Sequence, residues 1–377
     1  MNQIETARTS LLASFIAALA FVPVPALAQA PVMTKEAPAA SSPLPSPTPG
    51  QSAGAPTPKQ GLRIGMLIPH RTNPFWVAFA KSSQEAAKAL NVDLRIVDHE
   101  NREEKQIDTL QGLIAGGVDG LIVVPYNTQM GPAILDMAAK SQIPVTIADR
   151  WPGVGPESGK YIGFVGTNDE QAGYNIASAL LRQGCTKIVV NNGVRGVSLY
   201  QARTRGRTKA TTEHPEVQIL RDEYANSVRA AGANTMEAWL TALPGPEFDC
   251  LYGGNDDWAM GAWKILSDRG VADKVKIAGF DAIPEVIEKL KQGSFSVSAG
   301  GNWHEGPLSV VQMYDYLHGL KPAKPISLVS VAVVTKDNAA KFEEKFYKNP
   351  TVMDWKQRSR VFNADAPADF VVQVDKP

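Results

Sequence analysis

The residues best equipped for chemistry in this chain stand just after short apolar runs. His70, Arg71, Asn73, Phe75 and Trp76 follow the run from Arg63 to Pro69, and Asp149, Arg150 and Trp151 follow Pro144 to Ala148. In the second half, Arg203 and Arg205 come after Lys187–Asn192, Asn255, Asp256 and Asp257 after Leu251, and Asp281 closes the run from Val275. Amides, carboxylates, guanidinium groups and flat aromatic rings together suit a neutral polyol. Each hydroxyl donates one hydrogen bond and accepts two. A carboxylate can accept from two hydroxyls and an arginine fork can donate to two, with charge strengthening each bond. Aromatic rings cover the apolar C–H faces. Taken singly the same residues read more simply: Asp256 or Asp169 as a helix cap, Asp149 and Arg150 as a structural ion pair.

Other chemistries find little support. There is no His-Glu-x-x-His, P-loop or Cys-x-x-Cys, so no metal, cofactor or nucleotide is expected. Gly50-Gln-Ser-Ala-Gly54 has the letters of a nucleophile elbow but sits in a proline-rich stretch without the strand and helix that motif needs. Paired carboxylates could serve a glycosidase. Arg150 and Arg205 would instead keep such carboxylates ionised, which disfavours a general acid, so binding rather than catalysis is expected.

The elements that must position these residues alternate. Strand-like runs at Arg63–Pro69, Leu94–Val97, Gly120–Pro125, Pro144–Ala148 and Tyr161–Val165 are interleaved with helical spacing over 75–90, 106–114 and 130–139. The pattern then restarts with a helix over 171–181, a strand at Lys187–Val190, a strand ending near Asn255, a helix over 258–266, a strand at Val275–Asp281 and a helix over 284–290. Such alternation implies parallel sheets with helices on both faces, here as two doubly wound α/β lobes. Ligands of these sheets lie beyond the carboxyl ends of the strands, where the polar residues fall. Ile326–Val334 reads as one closing strand and Ala339–Tyr347 as a short charged helix.

The 377 residues suit two lobes, and a formal net charge of zero argues against a broad nucleic-acid surface. The two cysteines, Cys185 and Cys250, support neither a disulfide framework nor a zinc knuckle. Both border expected strands as small buried residues, and they could pair once in an oxidising compartment. At the N-terminus an apolar core, Leu11–Phe21, leads to Pro25-Ala-Leu-Ala28, which reads as an export signal over residues 1–28. Residues 29–60 are rich in Pro, Ala and Ser and read as a disordered tether. The mature chain is expected in the periplasm, as a monomer.

From about Gly61 to Asp337 the chain resembles the periplasmic sugar-binding proteins of ABC transporters, of the ribose-binding type. The resemblance rests on the order and spacing of Asn73-Pro-Phe-Trp76, Gly117–Pro125, Ile143–Arg150, Ala202–Gly206, Asn255-Asp256 with Ala259–Ala262, and Gly279-Phe-Asp281. It implies a type I periplasmic binding fold: two lobes joined by a three-segment hinge, the first over 61–166 and 302–326, the second over 167–301 and 327–347, with 348–377 as an extension. It further implies that Asn73, Asp149 and Arg150 bond the ligand from the first lobe while Phe75 and Trp76 stack on it. Arg205, Asn255 and Asp281 would bond it from the second lobe, with Arg203 turned to solvent or a neighbouring carboxylate.

The chain also departs from the ribose type. Pro69 replaces a serine, Ser227 falls where a second-lobe aromatic is expected, and Gly300-Gly-Asn302 replaces a glutamine, so that Asn302 supplies the amide only with a one-residue shift. These changes argue against ribose and for a pyranose, a cyclic polyol or something larger. The implied role is capture of a sugar or polyol for an ABC permease. Its main rival is a sensor reporting ligand to a membrane receptor or histidine kinase. A transcription regulator would need an N-terminal helix-turn-helix, where this chain carries the expected export signal and proline-rich tether.

Overall fold

Runs that are apolar at every position become strands covered on both faces, because only a parallel sheet between two helix layers buries both sides. Gly120–Val123 and Val145–Ala148 are buried at every residue in the computed structural model of the chain, which describes residues 61–243, 247–350 and 352–374. The expected export signal and tether lie outside the described residues. Among the described residues no helix is long and apolar enough to cross a membrane.

The chain first lays down β1 (Leu62–Ile68), β2 (Val92–Asp98), β3 (Gly120–Val123), β4 (Val145–Ala148) and β5 (Gly163–Thr167). Between them run α1 (Pro74–Ala89), α2 (Glu103–Ala115) and α3 (Gly131–Lys140). It then crosses to a second sheet of β6 (Lys187–Asn191), β7 (Gln218–Glu223), β8 (Cys250–Tyr252), β9 (Lys276–Asp281) and β10 (Val297–Gly300). Helices α4 (Asp169–Leu181), α5 (Ser198–Thr212), α6 (Arg229–Ala242), α7 (Asp256–Asp268) and α8 (Pro284–Gln292) cover that sheet. Helix α9 (Glu305–Leu317) and β11 (Ile326–Ser330) return to the first lobe, and β12 (Ala332–Val334) with α10 (Lys336–Glu343) lies again in the second. Short α11 (Trp355–Arg358) and β13 (Phe370–Val371) end the described chain in the first lobe.

The sheets have orders β13-β11-β5-β4-β3-β1-β2 and β12-β10-β9-β8-β6-β7, parallel throughout except for the β10–β12 pair. The two parallel-sheet lobes match the expected fold class. The single closing strand expected over 326–334 is corrected. It breaks at Val331, with β11 pairing to β5 and β12 pairing antiparallel to β10. Two half-strands find partners in different sheets, so that stretch is a crossing between lobes. The C-terminal extension adds a further crossing, because it leaves α10 and pairs β13 with β11 in the first sheet.

Two elements carry no clear sequence signal. Strand β7, Gln-Ile-Leu-Arg-Asp-Glu, is a largely exposed edge and so needs no apolar run. Helix α6 buries only Gly232, Met236 and Trp239, too sparse a face to reveal a period.

Cys185 and Cys250 form a disulfide with Cα atoms 5.8 Å apart and a sequence separation of 65. A loop that long removes considerable entropy from the unfolded chain. Replacing both cysteines by alanine is expected to lower unfolding free energy by about 2–4 kcal/mol in urea titrations. An unchanged midpoint would show the bond to be energetically idle.

Candidate ligand-binding site

The strand ends of the two lobes face each other across one cavity. Its walls include Asn73, Phe75, Trp76, Asp149 and Arg150 from the first lobe, Arg203, Asn255 and Asp281 from the second, and Asn302 at the crossing between β10 and α9. The space among these side chains, open solvent included, is about 460 Å³. At the rim the lobes already touch: Trp151 N–H donates to Ser198 Oγ at 2.8 Å and Thr128 N–H to Gly196 O at 3.4 Å. The cleft is closed over the cavity.

In the first lobe the wall is built at the start of α1. Asn73 caps that helix, its Oδ1 accepting from Phe75 N–H at 3.0 Å, and it also stands in the cavity wall. Phe75 and Trp76 pack edge to face with centroids 4.7 Å apart, and the Arg150 guanidinium lies 5.9 Å from the Trp76 ring. Arg150 is anchored by donating to Tyr126 O at 2.8 Å, Pro125 O at 3.3 Å and Asn101 Oδ1 at 3.2 Å. Its Nε stands 3.7 Å from Asp149 Oδ2, beyond hydrogen-bond reach. Arg150 Nε and Asn302 Oδ1 are buried with no hydrogen-bond partner among the described residues. Such groups are costly unless something else bonds them.

The second-lobe wall centres on Arg203. Its Nε donates to Asp169 Oδ1 at 2.9 Å and its Nη1 to Gly254 O at 3.0 Å, and its guanidinium lies 4.2 Å from the Phe280 ring centroid. Here the expectation for Arg205 is corrected. Arg205 lies on the outer face of α5, its side chain 60% exposed and its Nε 2.8 Å from Glu170 Oε2. Residues two apart on a helix point about 200° apart, so only one can face the cleft. Which one does is set by the contact of α5 with α4. A Cβ on Gly206 would come within 1.9 Å of Glu170 O, and one on Gly173 within 2.3 Å of Arg203 O. The bare glycines allow the helices to meet so closely that Arg203 is turned inward.

Asn255 caps α7 through Trp258 N–H at 3.2 Å and donates to Ser227 O at 3.2 Å. Asp281, at the end of β9, accepts at 3.0 Å from Nδ2 of Asn302, which stands at the crossing between β10 and α9. Tyr200, His70, Asn101 and Ser227 also line the cavity. Tyr200 supplies an aromatic face from the second lobe, while the position expected to carry it, Ser227, does not. Its signal was available, since Tyr200 opens the first turn of a helix beyond the end of β6.

The cavity couples several ionisations. Burial holds the Asp281 carboxyl up at about 7, with Arg203 and Asn302 opposing. Burial raises Asp169 to about 6 against the pull of Arg203. Burial also raises Asp149, with Arg150 and Arg203 pulling down, and raises Glu305 well above its usual range, with Asp149 and Asp169 adding to it. Burial works against the Arg203 charge, yet Asp169, Asp281 and Tyr200 together hold its pKa above the ordinary value.

A carboxyl that titrates at about 7 when folded, against an ordinary 3.8, favours the folded state at low pH. That contribution is complete below the unfolded value and is lost as pH rises through about 7. Asp281→Asn removes the dependence. In thermal unfolding of the ligand-free protein, the variant is expected to gain about 1–3 kcal/mol on the parent at pH 8 and much less at pH 5. Equal differences at the two pH values would refute this reading of Asp281.

Residues 64–321 match the family model described as a periplasmic binding protein domain. The chain is 27% identical over 238 residues to a ribose import binding protein of Salmonella typhimurium, covering 62% of this chain and 77% of that one. It is 30% identical over 293 residues to a Rhizobium meliloti protein provisionally assigned to rhizopine binding, covering 75% and 93%. Among solved structures, an ABC transporter solute-binding protein from Bacillus halodurans C-125 with bound myo-inositol superposes with TM-score 0.68 at 27% identity, covering 77% of this chain and 100% of that one. The family model spans well over half of the sequence, and the protein belongs to the periplasmic binding proteins.

Proposed function

We propose that this protein captures a sugar or cyclic polyol in the interlobe cavity and delivers it to an ABC permease. One observation carries the reading. Buried charged groups from both lobes, Asp149 and Arg150 on one side and Arg203 and Asp281 on the other, converge on one cavity that also offers the rings of Phe75, Trp76 and Tyr200. Acceptors and donors in near balance suit hydroxyl groups, which need both. The aromatic rings suit the apolar faces of a ring-shaped ligand.

The mechanism is hinge closure. Ligand held by one lobe alone leaves the groups of the other unpaired, and closure satisfies both sets, so the ligand favours the closed form through its differential contacts. The closed form is what the permease would recognise. The relatives' names and bound molecules span ribose, myo-inositol and xylitol, which supports a sugar or polyol ligand. The departures from the ribose type at Pro69, Ser227 and Asn302 favour a pyranose, a cyclic polyol or something larger over ribose. The N-terminal residues 1–28 support export to the periplasm.

A thermal-shift panel of D-ribose, D-allose, myo-inositol and xylitol is expected to raise the melting temperature with at least one member. Calorimetry with that member should show Arg203→Ala weakening binding by roughly 10- to 1000-fold, the cost of losing a charged donor in a closed site. Arg205→Ala should stay within about twofold, as exposed ion pairs contribute little. A panel without any shift would sink the sugar reading, and equal effects of the two arginine changes would sink the site assignment.

A further inference from the structure

Asp281 and Ala282 carry the most conspicuous backbone strain around the cavity, with φ of +104° and +46°. Neither is glycine, so other contacts must hold the turn in that sparsely populated region. Three hydrogen bonds grip it. Ala282 N–H donates to Ser298 Oγ at 3.0 Å and Ile283 N–H to Asp256 Oδ2 at 3.1 Å. Ser298 Oγ in turn lies 2.9 Å from Asp256 Oδ1, a carboxyl that fits only because residue 279 is glycine: a Cβ there would come within 2.0 Å of it. The third bond is the shortest, from Tyr347 Oη to Ala282 O at 2.7 Å.

Tyr347 does not line the cavity. It stands after α10, where the chain turns back toward the first lobe. Its ring centroid is 5.7 Å from that of Trp303 and 6.0 Å from that of Phe342. Trp303 directly follows Asn302, which donates to the Asp281 carboxylate. Tyr347 therefore touches both neighbours of this carboxylate, the following residue through its hydroxyl and the Asn302 segment through its ring. Burial, with Asp256 and Asp281 adding to it, holds the Tyr347 phenol well above its ordinary range, so the hydroxyl stays a donor.

We propose that Tyr347 is a positioning residue of the ligand site: its hydroxyl, bonded to the Ala282 carbonyl, holds the turn that aims Asp281 into the cavity. The binding readout rests on the sugar reading above, whereas the positioning itself does not. Without that bond the strained turn relaxes, and Asp281 loses the fixed geometry that a directional acceptor needs.

Tyr347→Phe keeps the ring and removes only the hydroxyl. With the panel member that binds the parent protein, calorimetry is expected to show affinity falling about tenfold, the scale of one hydrogen bond. In an Asp281→Asn background the same change should have no further effect. Independently of any ligand, ¹³C NMR titration of the carboxyl groups should show Asp281 moving down toward the ordinary carboxylate range in Tyr347→Phe, because a loosened turn relieves its burial. If no panel member binds, or Asp281→Asn alone abolishes binding, this titration decides. Ser298→Ala, which removes another grip on the same turn, should shift it in the same direction and replaces Tyr347→Phe if that variant fails to fold. An Asp281 titration matching the parent, affinity within about twofold of it, or fully additive losses in the cycle would overturn the proposal.

Discussion

A guanidinium taken out of water must be paired, and the second lobe is arranged around meeting that demand for Arg203. Removing either partner of such a pair leaves an isolated buried charge, which folded proteins rarely tolerate. Arg203 meets Asp169 at 2.9 Å, the Gly254 carbonyl at 3.0 Å and the face of Phe280. Those partners come from α4, the loop after β8 and β9, so a single side chain ties together the start of the lobe and two of its central strands. The close approach of α4 and α5 at Gly173 and Gly206 makes the pair possible. The ionisation of Asp281 and Asp149 then depends on Arg203, because its charge opposes the burial that would neutralise them.

The two lobes solve the same problem differently. In the first, Arg150 is held by backbone carbonyls of Pro125 and Tyr126 and keeps one donor, Nε, without a hydrogen-bond partner among the described residues. In the second, Arg203 is held by the Asp169 carboxylate and the Gly254 carbonyl, and the carboxylate facing the cavity, Asp281, sits on a strained turn. Backbone carbonyls are rigid acceptors, so Arg150 needs little further support. Asp281 sits on residues with positive φ and depends on side chains from several elements, including the segment after α10.

That segment also changes the connectivity between the lobes. The chain passes from β5 to α4, from β10 to α9 and from β11 to β12, and then once more from α10 to α11 and β13. His304, at the crossing after β10, stacks on Phe370 of β13 with centroids 4.4 Å apart. The last crossing is thus packed against an earlier one and belongs to the body of the protein, whereas a bare sequence reading treats it as an extension.

Much of the fold was legible because buried parallel strands advertise themselves as apolar runs and the cavity-lining residues follow them. Asn73, Asp149, Asn255 and Asp281 could be placed at strand ends from spacing alone. Strand β7 and helix α6 were not legible, since an exposed edge and a sparsely buried helix need little apolar sequence. The fate of Ile326–Val334 was hidden for another reason: alternating side chains specify a strand but not the sheet it joins. Arg203 and Arg205 give the sharpest case. By itself the sequence determined that two arginines lie on one helix beyond a strand end and that at most one can face the cleft. Only the tertiary structure decided for Arg203, because the choice depends on how closely two helices can approach, and that is set by glycines on both of them and by Asp169, thirty-four residues away.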